Sequence, residues 1–163
     1  MKKKKEIFEN LYKNYHQKIY RICYSFINDK SDVDDLVQEV YFRIWSNLGK
    51  FRGESNIYTW VYRIAINTAI NYRWKLSKRQ MNTLPDNMDM VIQQQEHVED
   101  NENSEKLWNC ISKLNTIERS MISLSLEGLN YREIGVITGI VENTIAVRIH
   151  RIKSKLKNCI EKS

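Results

Sequence analysis

The scarcity of helix-breaking residues is the feature that most constrains the fold of this chain. Its 163 residues include 5 glycines and 1 proline, while 42% are hydrophobic. Strands joined by tight turns need glycine and proline at those turns, whereas helix interiors exclude both. A chain of this length holds one ordinary domain or two small ones. The composition therefore predicts an all-α protein, and the length excludes a large multidomain enzyme.

In the first half of the chain, apolar residues recur at steps of three and four, which is the spacing of one buried helix face. This spacing predicts three helices, over residues 8–26, 32–48 and 57–76. Ser31 and Ser55 stand just before the second and third helices, where a hydroxyl can cap the first free amides. Three amphipathic helices are enough for a small bundle.

The second half repeats the helical pattern with shorter helices. The first begins at a candidate cap, Ser104, and further helices are predicted over 116–126, 131–138 and 142–160. A short helix, a turn at Gly139 and a long basic helix form the pattern of a helix-turn-helix. Any helical hairpin imitates this pattern, so it does not by itself establish DNA binding.

The net charge of +6 is unevenly distributed along the chain. Residues 1–80 carry 16 basic and 8 acidic side chains, residues 106–163 carry 10 and 5, and residues 81–105 carry 7 acidic and no basic ones. The acidic segment contains the one proline, Pro85, and no sustained periodicity. It is predicted to be a flexible linker between two basic units, and basic units favour a polyanionic partner.

The cysteines and the N-terminus limit the class of protein further. Cys23, Cys110 and Cys159 are odd in number and far apart, and the three histidines are scattered. The sequence therefore predicts neither a disulfide framework nor a metal site. The basic N-terminus lacks the apolar stretch of a signal peptide, and no segment is apolar enough to span a membrane. We expect a cytoplasmic protein without cofactors.

The last predicted helix has a polar and basic face opposite its isoleucine stripe. In a major groove, the first turns of such a helix reach base edges and its later lysines lie near phosphates. Two residues at the start of the preceding helix would add a phosphate contact. The plainer interpretation is a solvated helix face with basic residues favoured by the helix dipole. The candidate DNA contacts are Tyr131, Arg132, Asn143, Thr144, Val147, Arg148, His150, Arg151 and Lys155.

The second helix carries an acidic strip with an aromatic residue on the side away from its apolar face. The strip consists of Asp35, Gln38, Glu39 and Phe42. Acidic side chains should not face DNA, and they suit a protein partner that presents arginines. A solvated acidic face is the alternative.

Aromatic and basic residues alternate from the loop after the second helix into the third. Rings stack on unpaired bases while guanidinium groups contact phosphates, so this composition suits a single nucleic-acid strand. Asn67 lies one turn beyond Arg63 and can bond to a base edge. Core packing is the alternative for several of the rings. The candidates are Phe51, Arg52, Ser55, Tyr58, Trp60, Arg63 and Asn67.

Three ordered stretches resemble the extracytoplasmic-function (ECF) group of bacterial sigma-70 type RNA polymerase sigma factors. They are DVDDLVQEVYFRIW at residues 32–45, FRGESNIYTWVYRIAINTAINY at residues 51–72, and GLNYREIGVITGIVENTIAVRIHRIKSKL at residues 128–156. The resemblance implies an all-α fold of two small domains. Residues 1–78 would be region 2, residues 79–103 the linker, and residues 104–163 the region 4 helix-turn-helix.

The resemblance also assigns roles to the candidate residues. The acidic strip on the second helix would dock on the clamp helices of the polymerase largest subunit. The loop and third helix would open the promoter -10 element and hold a flipped base, and the last helix would read the -35 element while region 4 binds the flap of the second-largest subunit. An anti-sigma factor is a further expected partner, and no enzymatic activity is implied.

One departure from the family concerns the last helix. Many members carry an arginine and a small polar residue where this chain has Ala146 and Val147. Part of the usual -35 contact set is therefore missing. Arg148, His150 and Arg151 either compensate for it or give a different -35 preference.

Two other classes of protein fit the sequence less well than a sigma factor does. A stand-alone helix-turn-helix regulator would leave the acidic strip and the aromatic segment without a required role. A nucleic-acid enzyme would need an inward-facing metal cluster or a catalytic arrangement, and the acidic residues and histidines are not spaced for one.

Overall fold

The computed structural model describes residues 1–82 and 102–163 and contains seven helices in those ranges. The helices are α1 (Lys2–Phe26), α2 (Lys30–Leu48), α3 (Ile57–Asn82), α4 (Glu102–Ser112), α5 (Thr116–Leu126), α6 (Tyr131–Thr138) and α7 (Glu142–Lys162). The described residues contain no strand, so the all-α prediction is confirmed. None of the helices in these two ranges has the length and apolarity needed to cross a membrane.

Helices α1, α2 and α3 form the N-terminal bundle, in which each helix packs against the other two. Their apolar stripes meet in a core that includes Ile19, Ile22, Leu36, Ile44 and Val61, each fully buried. Burial of a side chain of this size contributes about 1.5–3 kcal/mol. The spacing of three and four therefore identified the inward face of each helix. Tyr12 is an exception, because the spacing of three and four places it among the apolar residues of α1 but its side chain is exposed.

Helices α4 to α7 form the C-terminal bundle, in which α6 and α7 pack on each other and on α5, and α4 packs on α7. Helix α6 begins with a capping box in which Asn130 and Glu133 satisfy each other's backbone amides. It ends at Gly139, whose φ of 74° is a left-handed conformation that glycine adopts without penalty. The predicted helix-turn-helix is therefore present.

All three predicted caps are wrong. The carboxylate of Asp29 accepts from the Asp32 amide at 3.1 Å, so α2 begins at Lys30 and Ser31 lies within its first turn. Helix α4 begins at Glu102, which places Ser104 inside the helix. At α3 the first backbone bond runs from the Trp60 amide to Asn56, so Asn56 stands at the cap position predicted for Ser55.

The linker predicted over residues 79–103 overlaps described helices at both of its ends. Helix α3 continues to Asn82 and α4 starts at Glu102. The rest of that segment, including Pro85, lies outside the described residues.

The cysteine prediction is wrong for two of the three residues. Cys110 of α4 and Cys159 of α7 form a disulfide, with Cα atoms 5.9 Å apart, although the two residues are 49 positions apart in sequence. They are close because α4 packs along α7, which sequence spacing does not reveal. Cys23 is a free thiol that is fully buried in the N-terminal bundle, and burial raises its pKa.

The two bundles pack against each other. Helix α1 contacts α4 and α5, while α3 contacts α5 and α6. Phe26 of α1 and Arg119 of α5 meet there, with the guanidinium carbon 5.7 Å from the ring centroid. Arg119 is almost fully buried and donates to the carbonyls of Ser112 and Leu114, so it also fastens the turn between α4 and α5.

Candidate functional site

The acidic strip of α2 lies on the outside of the N-terminal bundle, as the sequence predicted. Asp35, Gln38 and Phe42 are exposed, and Phe42 leaves 70% of its surface in solvent. Glu39 is only half-exposed because its carboxylate accepts from the Arg43 guanidinium at 2.8 Å. The exposed ring between polar groups gives this face the composition of a protein-docking surface.

A cleft of about 420 Å³ between α1 and α2 adjoins the acidic strip. Tyr12, His16 and Tyr41 provide its aromatic lining, and Asp34 and Gln38 stand at its polar side. Within the described residues, the buried Nδ1 of His16 and hydroxyl of Tyr41 have no hydrogen-bond partner. The apolar spacing does not predict this cleft, because its α1 residues follow the same spacing as core residues.

The loop between α2 and α3 carries the first of the aromatic and basic candidates. Phe51 packs against Trp60 with ring centroids 5.2 Å apart, which leaves both side chains half-buried. Arg52 is exposed beside Gly53, whose φ is 73°, and Ser55 is half-buried. The packing of the two rings holds the loop against the start of α3. The exposed guanidinium of Arg52 is then able to contact an anion.

The structure separates the three remaining candidates on α3. Asn67 is exposed. The hydroxyl of Tyr58 donates to the Glu133 carboxylate of α6 at 2.6 Å, and this bond raises the pKa of Tyr58. Arg63 donates to the carbonyl of Val136 at 2.8 Å. Two side chains predicted to touch DNA therefore contact the C-terminal bundle.

The polar face of α7 points into solvent along its whole length. Val147 leaves 52% of its surface exposed, and Tyr131 and Arg132 at the start of α6 are exposed on the same bundle. Lys155 pairs with the Glu118 carboxylate of α5. The remaining exposed candidates are Asn143, Thr144, Arg148, His150 and Arg151. The buried stripe of Ile145, Ile149, Ile152 and Leu156 holds this face outward.

The most specific contact between the bundles involves two residues that no sequence pattern predicts. The Arg21 guanidinium of α1 makes two parallel bonds to the carboxylate of Glu127, both 2.8 Å long. Only 5% of the Glu127 side chain is exposed. Nothing in the sequence links these residues, which are 106 positions apart.

Two family descriptions match the chain, and they divide it as the bundles do. Sigma-70 region 2 matches residues 11–79, and Sigma-70, region 4 matches residues 104–156. These two matches place the chain in the sigma-70 class.

Similar proteins with curated names show which group of the sigma-70 class the chain resembles. The ECF RNA polymerase sigma-E factor of Haemophilus influenzae is 30% identical over 174 residues, covering 96% of this chain and 89% of that protein. The ECF RNA polymerase sigma-E factor of Escherichia coli K12 is 32% identical, with coverage of 94% and 86%. RNA polymerase sigma factor YlaC of Bacillus subtilis is 28% identical, with coverage of 99% and 96%.

The chain belongs to the ECF group of RNA polymerase sigma factors, and the resemblance found in the sequence is confirmed. As a sigma factor it directs promoter-specific transcription.

Solved structures share the fold. CnrH in complex with the cytosolic domain of CnrY has a TM-score of 0.72 at 21% identity, covering 98% of this chain and 90% of that one. The sigma factor RpoE of Bartonella quintana in complex with the anti-sigma factor NepR has a TM-score of 0.74 at 16% identity, with coverage of 96% and 98%. At these identities the comparison supports the arrangement of helices.

Proposed function

We propose that this sigma factor divides its work between the two bundles. The N-terminal bundle docks on core RNA polymerase through Asp35, Gln38, Glu39 and Phe42 and opens the -10 element with the α3 candidates, while the C-terminal bundle reads the -35 element with α7. The observation that carries the proposal is the pair of exposed faces with opposite chemistry. An acidic and aromatic face on α2 suits a protein, and a basic face on α7 suits DNA.

The assignment of -35 recognition to the C-terminal bundle is supported by the exposed first turns of α7. Asn143, Thr144 and Val147 stand where a recognition helix meets base edges, and Arg148 and Arg151 follow on the same solvent-facing side. The arginine guanidinium can donate two hydrogen bonds to the acceptors of a guanine, and the methyl groups of Thr144 and Val147 can contact the methyl group of a thymine. Since Ala146 and Val147 replace residues common in the family, we expect contacts at this point of the site to be apolar.

The assignment of -10 recognition to the N-terminal bundle is supported by residues of α3 and of the loop before it. Melting by a sigma factor uses binding energy, because flipping a base costs a few kcal/mol that stacking and pocket hydrogen bonds offset. Exposed Asn67 and Arg52 supply polar contacts, and the Phe51 and Trp60 rings supply stacking surface. This role needs no enzymatic activity and no cofactor.

The partners follow from the same assignment. Core polymerase contacts the α2 strip through its clamp helices and the C-terminal bundle through its flap, and promoter DNA contacts α3 and α7. We include an anti-sigma factor, since a structure of this fold contains one. The protein acts in the cytoplasm, where polymerase and chromosome are.

Core binding and run-off transcription test the docking role. Purified chain and core polymerase should co-elute and initiate from a subset of a promoter library. We expect Gln38→Ala with Glu39→Ala to weaken core affinity about tenfold or more, because truncating interfacial polar anchors removes well over 1 kcal/mol, while the helical circular dichroism stays unchanged.

A matched control for this test removes one glutamate and one glutamine from an exposed part of α1. Glu6→Ala with Gln17→Ala should retain the core affinity of the unmodified chain. Equal core affinity in both double variants would remove the docking role from α2. A chain that binds promoter DNA without core polymerase and never initiates would instead be the stand-alone regulator.

The division between the two promoter elements predicts different losses at α3 and α7. In transcription from libraries randomised at each element, Asn67→Ala should lose discrimination at one -10 base, and Arg151→Ala should lose about 1–3 kcal/mol of discrimination at the -35 element. Asn71→Ala, one turn beyond Asn67 and also exposed, should leave both preferences intact. Identical losses for Asn67→Ala and Arg151→Ala on every promoter would contradict the assignment.

A further inference from the structure

The first turn of α1 concentrates positive charge. Residues 2–5 are four lysines in a row, no acidic side chain lies in that turn, and no side chain caps its amides. A helix dipole is positive at this end, so it favours anions and disfavours cations there. The lysine run therefore lowers the stability of α1 in the unbound chain, and an anion bound beside it would offset that loss.

Packing holds this turn against the end of α2. The Phe8 ring meets the Trp45 ring edge to face, with centroids 5.2 Å apart. The Lys4 ammonium lies 4.4 Å from the centroid of the same Trp45 ring, and Trp45 belongs to the last turn of α2. The lysine run is therefore held at the end of the N-terminal bundle where the loop to α3 begins.

The loop adds two cations at this end of the bundle. Lys50 and Arg52 are exposed. The Lys50 amide bonds to the Asn47 carbonyl at 2.9 Å, which keeps the start of the loop on the end of α2. We call the combined surface the basic end. It consists of Lys2, Lys3, Lys4, Lys5, Lys50 and Arg52.

The basic end keeps an excess of positive charge. Three carboxylates lie in the same segments of the chain, those of Glu6, Glu9 and Glu54. The Glu9 carboxylate lies 3.7 Å from the Lys5 ammonium. Within the described residues, the four exposed members of the basic end other than Lys5 form no ion pair. These four cations are therefore available to an external anion.

We propose that the basic end binds the phosphates of a single DNA strand where that strand leaves the proposed -10 surface of the loop and α3. The inference rests on the proposed function, since Arg52 and its neighbour Phe51 belong to that surface. A strand with one base held there continues past the loop, and its phosphates then meet the lysines. Lysine suits this contact, because its ammonium is a point charge on a long stem and binds phosphate without reading the base.

DNA fits the basic end better than does an anionic membrane, the other polyanion that lysine runs bind. Helices that lie on membranes insert an apolar face. The apolar face of α1, which includes Leu11, Ile19 and Ile22, is buried in the bundle core. The basic end also shares Arg52 with the proposed -10 surface, and a membrane contact would not explain that continuity.

Removing two exposed lysines of the run tests the proposal in the full chain. Lys2→Gln with Lys3→Gln leaves the contacts of Lys4 and Lys5 in place, and glutamine forms helix about as readily as lysine. Fluorescence anisotropy measures the binding of a single-stranded -10 oligonucleotide and of a scrambled one over a range of salt concentrations. Circular dichroism checks that α1 remains helical.

A matched control removes the same charge elsewhere on the N-terminal bundle. Lys13→Gln with Lys30→Gln changes two lysines that are also exposed. Lys13 lies in the middle of α1, and Lys30 is the first residue of α2, so both are away from the basic end. An effect of net charge alone would change the two double variants equally.

We expect the variant without Lys2 and Lys3 to bind both oligonucleotides at least about fivefold more weakly at low salt. The factor should be the same for the -10 and the scrambled sequence, because phosphate contacts carry no sequence information. Each phosphate contact on a single strand adds about 0.7 to the slope of log affinity against log salt, so this slope should fall by about 1.4. The control should keep the slope and affinity of the unmodified chain.

Equal slopes and affinities in the two double variants would overturn the proposal. The same holds if the Lys2 and Lys3 variant binds DNA as the unmodified chain does but no longer sediments with vesicles of phosphatidylcholine and phosphatidylglycerol, since the partner is then a membrane. Run-off transcription with core polymerase, measured in parallel, keeps the result separate from the proposed function. If the unmodified chain initiates while both variants bind DNA equally, the basic end fails and the sigma-factor role stands. A lower slope in a chain that never initiates supports phosphate binding and contradicts the proposed function.

Discussion

Replacing Cys159 with serine is expected to lower the free energy of unfolding by about 2–4 kcal/mol, the usual contribution of a native disulfide. The bond to Cys110 closes a loop of 49 positions in the C-terminal bundle. Loop-closure entropy for a loop of this length amounts to about 4 kcal/mol. The bond also fastens α4, the first helix after the linker, to the end of α7.

Denaturant unfolding with and without reductant measures this effect. The unmodified oxidised chain should lose stability when reductant is added, and the Cys159→Ser variant should be unaffected by it. Cys110→Ser should cost a similar amount, and the double variant should cost little more, because both changes remove the same bond. A midpoint for Cys159→Ser equal to that of the oxidised chain would contradict a stabilising disulfide.

Cys23 provides the reason for attributing the reductant effect to a single bond. Its thiol is fully buried among the apolar residues of the N-terminal bundle, and burial raises its pKa. A protonated, inaccessible thiol neither attacks a disulfide nor exchanges with a soluble one. Reductant should therefore act through Cys110 and Cys159.

Helix positions could be predicted from the sequence because the information is local. Helices α5 and α6 begin and end at the predicted residues, Thr116 to Leu126 and Tyr131 to Thr138. In each case an apolar stripe and a nearby glycine agree on the boundary. The same stripe fixes the outward face, which is why the exposed face of α7 was also predicted.

Helix caps were predicted less well because neighbouring residues compete for them. Asp29 and Ser31 both have oxygens suited to a free amide, and the geometry of the turn after α1 brings the Asp29 carboxylate to the Asp32 amide. At α4, the first helical residue is Glu102, and its carboxylate pairs with Lys106 one turn later. The choice between neighbouring cap residues depends on the path that the backbone takes into the helix, and the spacing of apolar residues does not specify that path.

Contacts between the bundles could not be predicted at all. The partners of Tyr58 and Arg63 lie 75 and 73 positions away on α6, and both side chains were assigned to DNA from local composition. The disulfide was missed for the same reason. Such contacts depend on how the formed helices pack against one another. That packing is determined by the shape and charge of segments that lie far apart in the sequence.

A second large effect is expected at Gly135 in α6, where alanine should destabilise the C-terminal bundle by about 1–3 kcal/mol. A Cβ added there would lie 2.7 Å from the carbonyl oxygen of Ile140 and 3.7 Å from the amide of Glu142. Both atoms are backbone, so they cannot rotate away as a side chain does. Overcrowding should exceed the gain of up to about 1 kcal/mol that alanine brings to a helix.

The same change should weaken -35 DNA binding, because the crowded carbonyl lies in the turn that sets α7 against α6. Duplex binding and denaturant unfolding of Gly135→Ala measure the two effects together. Gly49→Ala is the matched control, since Gly49 has φ of −68° and open space around its Cβ position. Its stability should stay equal or rise slightly. Equal stability and -35 affinity in the two variants would show that α6 and α7 do not need a glycine to pack at this distance.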